Sequence, residues 1–380
     1  MTARPTPTAL ASRPNGRPLD LRRYALLEHM QVYDEPVSRV TGVGVHLPDR
    51  IVDNDEVASG VEAPPEVRRR LAAYIARTTG VRTRRYADPT DAPSDLAASA
   101  ARRAMAQAGA SPASIDVLIF ASTDRDLLEP ATANILQEKL GLSGCNAFDV
   151  SNACNSMLQG MNVANALLAA GAARRVLVAC GELGSQWACR RVDSLEDLQW
   201  KMGGLTLGDA GAALLMEAAD GASGITEINL VGLGEHWRLC HMPENEHWRR
   251  EPVPSIHGWF YLDMPGLARL VRSVTATYAG GYAAYRGERF DEAQIMDHLD
   301  ALVPHQISST LIREMADSVL AGHDRIAITA DTLGNTGSAA IPVTLHREIE
   351  AGRLALGRGQ DVLLFGAASG LGMGHVRLRL

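Results

Sequence analysis

Short apolar stretches, long enough for strands, alternate along this chain with longer stretches that have helical spacing. Val37 to Val45 alternates and then turns at Leu47-Pro48, which predicts an opening strand. A polar, arginine-rich segment from Tyr74 to Tyr86 leads to Pro93-Ser94-Asp95, where Ser94 is placed to cap a helix ending near Gly109. Ile115 to Phe120 reads as a buried strand, Ala131 to Leu140 as a helix, Phe148 to Val150 as a short strand and Arg175 to Cys180 as another. Between the last two, Asn155 to Ala170 contains neither proline nor charge, which predicts a helix buried on all sides. Gly208 to Met216 closes this half with a further strand. Strands that alternate with helices imply an α/β fold with sheets covered on both faces.

The second half repeats the plan. Ile225 to Gly232 resembles the opening strand, Leu299 to Pro304 the strand at 115–120, and Ile326 to Ala330 the strand that precedes the apolar helix. A helix through Glu350, the strand Asp361 to Gly366 and a final strand Val376 to Leu380 complete it. Two copies are too few for a solenoid, so they should pack as two pseudo-symmetric lobes. The expected boundaries are an extension over 1–37 with a short helix from Leu19 to Met30, a first half over 38–217 and a second over 218–380. An insertion near 241–262 has no readable purpose.

Composition narrows the class. A chain of 380 residues, 46% hydrophobic, can bury a large core. Its net charge of -7 gives no nucleic-acid footprint, and no stretch approaches the roughly 18 unbroken apolar residues of a membrane span. The five cysteines are odd in number and form no CxxC pair, which argues against a disulfide framework and against a metal site. The N-terminus has no apolar signal core, and a reducing cytoplasm is the expected compartment.

Candidate chemistry starts at Cys154, at the head of the apolar helix. The helix dipole and its unpaired N–H groups would stabilise a thiolate and lower the thiol pKa, although cysteine is also common as a small buried hydrophobe. His305, in Val303-Pro304-His305-Gln306, and Asn335, in Gly334-Asn335-Thr336-Gly337, follow strands in the second half. Singly, each has an ordinary reading, as one of eleven histidines and as a Gly-Asn turn. Their corresponding places in a duplicated fold allow all three to meet at one end of the sheets.

Ala153-Cys154 before an apolar helix, Leu207-Gly208-Asp209-Ala210-Gly211, His305-Gln306 and Gly334-Asn335-Thr336-Gly337-Ser338-Ala339-Ala340 resemble the thiolase superfamily in its β-ketoacyl synthase III branch. The resemblance runs from about Val40 to Leu380. It implies a thiolase fold of five layers, α-β-α-β-α, a homodimer and a Cys-His-Asn triad of Cys154, His305 and Asn335. It implies no cofactor, with coenzyme A thioesters and acyl carrier protein as substrates or partners. Backbone N–H groups of Cys154 and Ser369 would form the oxyanion hole, although Ala367-Ala368-Ser369 stands where such enzymes carry a glycine-rich run. Arg77, Arg82, Arg84 and Arg85 resemble the basic segment that meets the CoA phosphates, with Arg77 and Arg84 as the candidates.

Within that branch, Arg125-Asp126-Leu127-Leu128-Glu129-Pro130 is similar to the segment that carries a catalytic glutamate in the head-to-head acyl-CoA condensing enzymes of olefin and β-lactone pathways. There the glutamate reaches across the dimer and removes an α-proton, so Glu129 is the candidate base. Gly234 to Cys240 adds to the likeness, while Gly208-Asp209 is the common synthase sequence. Malonyl-dependent β-ketoacyl synthesis is the alternative, and a cysteine hydrolase is the alternative of another class. The five tryptophans cluster between residues 187 and 259, where they could line an acyl channel or serve as packing.

Overall fold

The computed structural model describes residues 20–219, 221–242, 259–292, 294–319 and 323–380. Two five-stranded sheets form its frame. In the first, the order is Ser38–His46, Asp209–Ala218, Arg175–Leu183, Val117–Ala121 and Asn146–Val150. In the second it is Gln31–Val32, Gly224–Gly232, Gly372–Arg379, Asp361–Ala368 and Ala301–Pro304. Ser38–His46, Asp209–Ala218, Arg175–Leu183 and Val117–Ala121 are joined by two antiparallel contacts and then a parallel one, and Gly224–Gly232 through Ala301–Pro304 repeat that sense in the same order.

The repeat fails at one edge. Asn146–Val150 pairs in parallel with Val117–Ala121, but its expected counterpart, Ile326 to Ala330, makes a single bridge from Ile326 to Leu302 before turning into the short helix Ala330–Leu333. An early helical turn brings Asn335 back toward the sheet ends.

The apolar residues sort into layers. The central core takes side chains from both sheets and from two helices between them, Ser156–Ala170 and Ala340–Glu350. Pro93–Gln107 and Thr132–Leu140 cover the outer face of the first sheet with a largely alanine surface. On the outer face of the second sheet lies Met264–Phe290, a helix of 27 residues that roofs the strands, with Ser309–Val319 beside it. The layering is α-β-α-β-α.

Several expectations change. Ser94 does not cap its helix; the Pro93–Gln107 helix begins one residue earlier, and Ser94 N–H and Oγ both donate to Asp126. The arginine-rich segment is the end of a helix, Pro65–Thr79, followed by the hairpin strand Thr83–Tyr86. Of the helix expected from Leu19 to Met30, Leu19 lies outside the described residues and the rest forms only the single helical turn Leu21–Arg23, and the last strand begins at Gly372. Residues 20–37 are no loose extension: Leu21, Leu27 and Met30 are buried with Tyr278 and Tyr282 of the roof helix, and Gln31–Val32 pairs with the second sheet. The Ser156–Ala170 helix is not buried all round, since Ala166 and Ala170 are exposed and Asn162, Val163 and Leu167 only partly covered. Residues 1–19 of the extension, residues 243–258 of the insertion and Trp248 lie outside the described residues. What is described of the insertion pairs Cys240–His241 with Tyr261–Leu262.

Candidate active site

The chain reaches Cys154 through a tight turn. Ala153 adopts φ 47, a left-handed conformation that is costly for a residue with a Cβ and is found where surrounding structure enforces it. The enforcement is local. Ser156 Oγ donates to Ala153 O at 2.7 Å and accepts from Asn152 N–H at 2.8 Å, while Asn155 N–H donates to Asn152 O at 3.0 Å. Asn155 then fills the gap to the second sheet so closely that a Cβ on Gly366 would lie 2.1 Å from its Oδ1.

Three loops deliver the other groups. His305 follows the Ala301–Pro304 strand and is fixed by its N–H to Phe365 O at 2.8 Å. Asn335 donates its N–H to Thr206 O at 3.0 Å and accepts from Gly208 N–H at 2.9 Å, so the Gly208-Asp209 and Gly334-Asn335 loops lie back to back. Only glycines permit that approach, because a Cβ on Gly208 would lie 2.4 Å from Leu333 O and one on Gly334, with φ +68, 2.3 Å from Thr206 O. Asp209 stays beneath, accepting from Ala87 N–H, Ser185 N–H and Ser185 Oγ. Ser369 lies just after the Asp361–Ala368 strand, with its Oγ 2.9 Å from Cys240 Sγ.

Cys154, His305, Asn335 and Ser369 line one cavity. The backbone N–H groups of Cys154 and Ser369 act to lower the pKa of the Cys154 thiol. Asn335 Oδ1 accepts from Gly337 N–H at 3.0 Å, which leaves Nδ2 as its donor. From this cluster the cavity extends beneath the roof helix, past Leu267, Val271, Thr275, Ala279 and Tyr282 and over Phe365, Leu363 and Leu302 of the sheet. The span from Leu267 to Tyr282 is roughly 22 Å at 1.5 Å per helical residue. A narrow, nearly wholly apolar passage of that length fits an extended hydrocarbon chain.

Electrostatics at the site differ from the expectation. Burial pushes the Cys154 thiol well above the ordinary cysteine value, with further upward pushes from Cys240 and from the Glu182 carboxyl; its own N–H and that of Ser369 oppose them. His305 is pushed down to about 4 by burial alone and is therefore neutral near pH 7. Its Nδ1 has no hydrogen-bond partner among the described residues. An apolar pocket thus holds a thiol and a neutral imidazole, not a standing ion pair.

Glu182 carries no motif and is missed by sequence reasoning. Its Oε1 accepts from Ser122 Oγ, Thr123 N–H and Ser338 Oγ, joining the strand ends behind Cys154 to the loop that carries Asn335. Burial pushes it up, and the same cause with the Glu182 charge raises neighbouring Asp124 to about 8. A carboxylate that ends an otherwise apolar strand was the available signal.

Three candidates fall elsewhere. Arg84 is fully buried, donating to Asn54 Oδ1 at 2.8 Å and Leu205 O at 3.0 Å, so it cannot meet a phosphate in solvent. Arg77 is exposed, its guanidinium 5.5 Å from the centre of the Tyr74 ring. Glu129 is exposed on a loop with Leu127 and Leu128 and does not line the cavity of its own chain. The described tryptophans do not line it either: Trp187 donates to Asp124, Trp200 stacks on Tyr261, Trp237 contacts Arg238, and Trp259 lies by Arg50 and Arg190.

Comparison with known proteins places this geometry. The family profile described as 3-oxoacyl-[acyl-carrier-protein] synthase III matches residues 148–234, and the profile of its C-terminal part matches residues 292–380. Beta-ketoacyl-[acyl-carrier-protein] synthase III of Neisseria meningitidis serogroup C is 31% identical over 345 residues, covering 90% of this chain and 99% of the relative. The same enzyme from Thioalkalivibrio sulfidiphilus is 32% identical over 333 residues, covering 88% and 96%. Among solved structures, the synthase III, FabH, of Pseudomonas aeruginosa superposes with TM-score 0.75 at 26% identity, covering 90% of this chain and 98% of that one. OleA of Xanthomonas campestris superposes with TM-score 0.78 at 23% identity, covering 91% and 98%, a likeness of fold. The chain belongs to the β-ketoacyl-[acyl-carrier-protein] synthase III branch of the thiolase superfamily, has the thiolase fold and is a condensing acyltransferase that forms carbon–carbon bonds.

Proposed function

We propose that the protein condenses acyl-CoA substrates by a Claisen reaction through a thioester on Cys154. The observation that carries this reading is the single cavity in which Cys154, His305, Asn335 and Ser369 meet at the head of a long apolar passage. A thiol accepts the acyl group and later leaves as thiolate, and the N–H groups of Cys154 and Ser369, which act on its sulfur, are the donors assigned to the carbonyl oxygen as it gains charge. Neutral His305 and the Asn335 Nδ2 group then donate to the carbonyl of the second substrate as its α-carbon becomes a nucleophile. Arg77, beside Tyr74, is the candidate for the CoA phosphates. An OleA structure described with bound lauric acid and lauroyl-CoA, at 24% identity and TM-score 0.76, supports CoA-linked chains as guests of such a cavity. Family membership removes the support for a hydrolase.

The second substrate is another acyl-CoA, with Glu129 as the base that removes its α-proton. Glu129 sits outside its own cavity between exposed Leu128, 75% accessible, and Pro130, so it acts from a second copy of the chain in a homodimer. Malonyl-dependent condensation needs no such base. Wild type, Cys154→Ala and Glu129→Ala are incubated with long-chain acyl-CoA alone, and CoA release and products are followed by mass. A β-keto product lost in both variants, with Cys154 still acylated in Glu129→Ala, is expected. Product that appears only after addition of a malonyl thioester, with Glu129→Ala harmless, would overturn the head-to-head chemistry and leave Cys154 in place.

A further inference from the structure

The turn that carries Ser369 is short and weakly held from within. Asp361–Ala368 and Gly372–Arg379 stay paired to their ends, with Ala368 opposite Gly372, so Ser369, Gly370 and Leu371 alone make the turn. Gly370 has φ +111, and nothing lies within 4 Å of the place its Cβ would take. A glycine in open space does not fix the turn, so its placement depends on contacts from outside.

Two such contacts come from one segment. Leu233 N–H donates to Leu371 O at 2.8 Å, and Cys240 Sγ lies 2.9 Å from Ser369 Oγ. The short helical turn Gly234–Leu239 joins those two residues, so the segment holds the Ser369 turn at its first and last positions. Cys240 is itself fixed. It pairs with Leu262 across the two short strands of the insertion and packs in an apolar cluster with Leu262, Leu267, Val271 and Leu371. An aliphatic side chain would satisfy that cluster; a thiol adds an atom that can donate to a hydroxyl or accept from it. Cys240 is the hydrogen-bond partner of the Ser369 side chain among the described residues, and both line the cavity with Cys154.

We propose that Cys240 is a positioning residue for acyl transfer: by holding the Ser369 hydroxyl it aligns the Ser369 N–H with the carbonyl oxygen of the chain that enters on Cys154. The inference rests on the reading of Ser369 N–H as an oxyanion donor and names the residue on which that donor depends. It also gives the paired ends of the insertion, Cys240–His241 and Tyr261–Leu262, a task in catalysis.

Cys240→Ala, Cys240→Ser, Ser369→Ala and the double alanine variant are mixed with long-chain acyl-CoA over a range of concentrations, and acylation of Cys154 is followed by intact mass. A donor out of line costs less than a donor removed, so Cys240→Ala and Ser369→Ala should each lower the saturating rate about tenfold with half-saturation unchanged. The double variant should be no slower than either single one, because all three lack the same contact. Cys240→Ser keeps a hydrogen-bonding atom at that place and should return the rate to within about threefold of wild type. Ser369→Ala leaves the apolar cluster around Cys240 intact, so a loss it shares is no folding defect. A wild-type rate in Cys240→Ala, a double variant about a hundredfold slow, or a loss that Cys240→Ser fails to rescue would overturn the inference and leave Ser369 as donor. Ser369→Pro, which lacks the N–H, tests that donor: a wild-type rate there would overturn the reading on which the inference rests.

Discussion

Asn335→Asp should separate the two halves of the reaction. Asn335 Oδ1 is occupied by Gly337 N–H at 3.0 Å, and Nδ2 is the donor left for the cavity. Aspartate has the same shape and keeps the first contact. It replaces the donor with an anionic oxygen in a residue that is 4% exposed. Removing one donor from a developing oxyanion costs about 2.7–4 kcal/mol, a factor of roughly 10² to 10³ in rate. Adding negative charge beside the enolate repels it as well, so condensation should fall by at least about 10³-fold. On the proposed mechanism the thioester forms with the N–H groups of Cys154 and Ser369 as donors, so acylation should fall by less than about tenfold. Rapid-quench mixing with acyl-CoA, read as acyl-Cys154 by intact mass and as β-keto product by chromatography, measures both steps in one experiment. Asn335→Ala, which removes the donor without adding charge, should lie between the variant and wild type. Product formation within tenfold of wild type, or acylation lost as completely as condensation, would refute the division of labour.

Two further predictions concern the folded state. Burial holds His305 at about 4 against about 6.5 in an unfolded chain, so between those pH values the unfolded chain binds the extra proton. The stability attached to this residue is therefore complete above pH 6.5 and falls by about 3 kcal/mol as pH drops through 4, at 1.36 kcal/mol per pKa unit. Urea unfolding at pH 7, 5.5 and 4 should show a smaller loss for His305→Asn than for wild type; parallel curves would contradict the assignment. Gly366→Ala places a Cβ 2.1 Å from Asn155 Oδ1 and 2.7 Å from Leu158, which should cost about 1–3 kcal/mol and disturb the turn before Cys154. Gly232→Ala, with nothing within 4 Å, is the control in the same urea titration.

The cluster of Cys154, His305 and Asn335 is legible from sequence because each stands just beyond a strand or bridge, and the doubled plan tells which ends coincide. Gly208 and Gly334 are legible as motif glycines, but their purpose appears only when the two loops lie back to back. Glu182 and Ser338 leave less trace, since a buried carboxyl and a hydroxyl bind one another across more than 150 residues of chain. The arginines show the opposite failure. Arg77 and Arg84 belong to one basic run in the sequence, yet the turn from helix to hairpin strand sends Arg77 outward and Arg84 into the core. A charge run fixes composition, while strand alternation fixes direction.

The roof helix explains why the cavity itself is harder to foresee than the residues at its head. Nothing in the pattern between Leu262 and Leu299 announces 27 helical residues: Gly280-Gly281 reads as an interruption, and the buried stripe mixes Leu267, Val271 and Thr275 with tyrosines and arginines. Gly281 is instead a contact point, where a Cβ would lie 2.7 Å from Ala25 O, so the interruption admits the N-terminal segment to the helix. Ala279 has an equally spatial reason, since a larger side chain at that level of the stripe would narrow the passage between Tyr278 and Tyr282. Small residues that make room and small residues that fill little look identical in one dimension. The reactive groups can be found by asking which side chains do chemistry, whereas the guest can be inferred only from the space those small residues keep open.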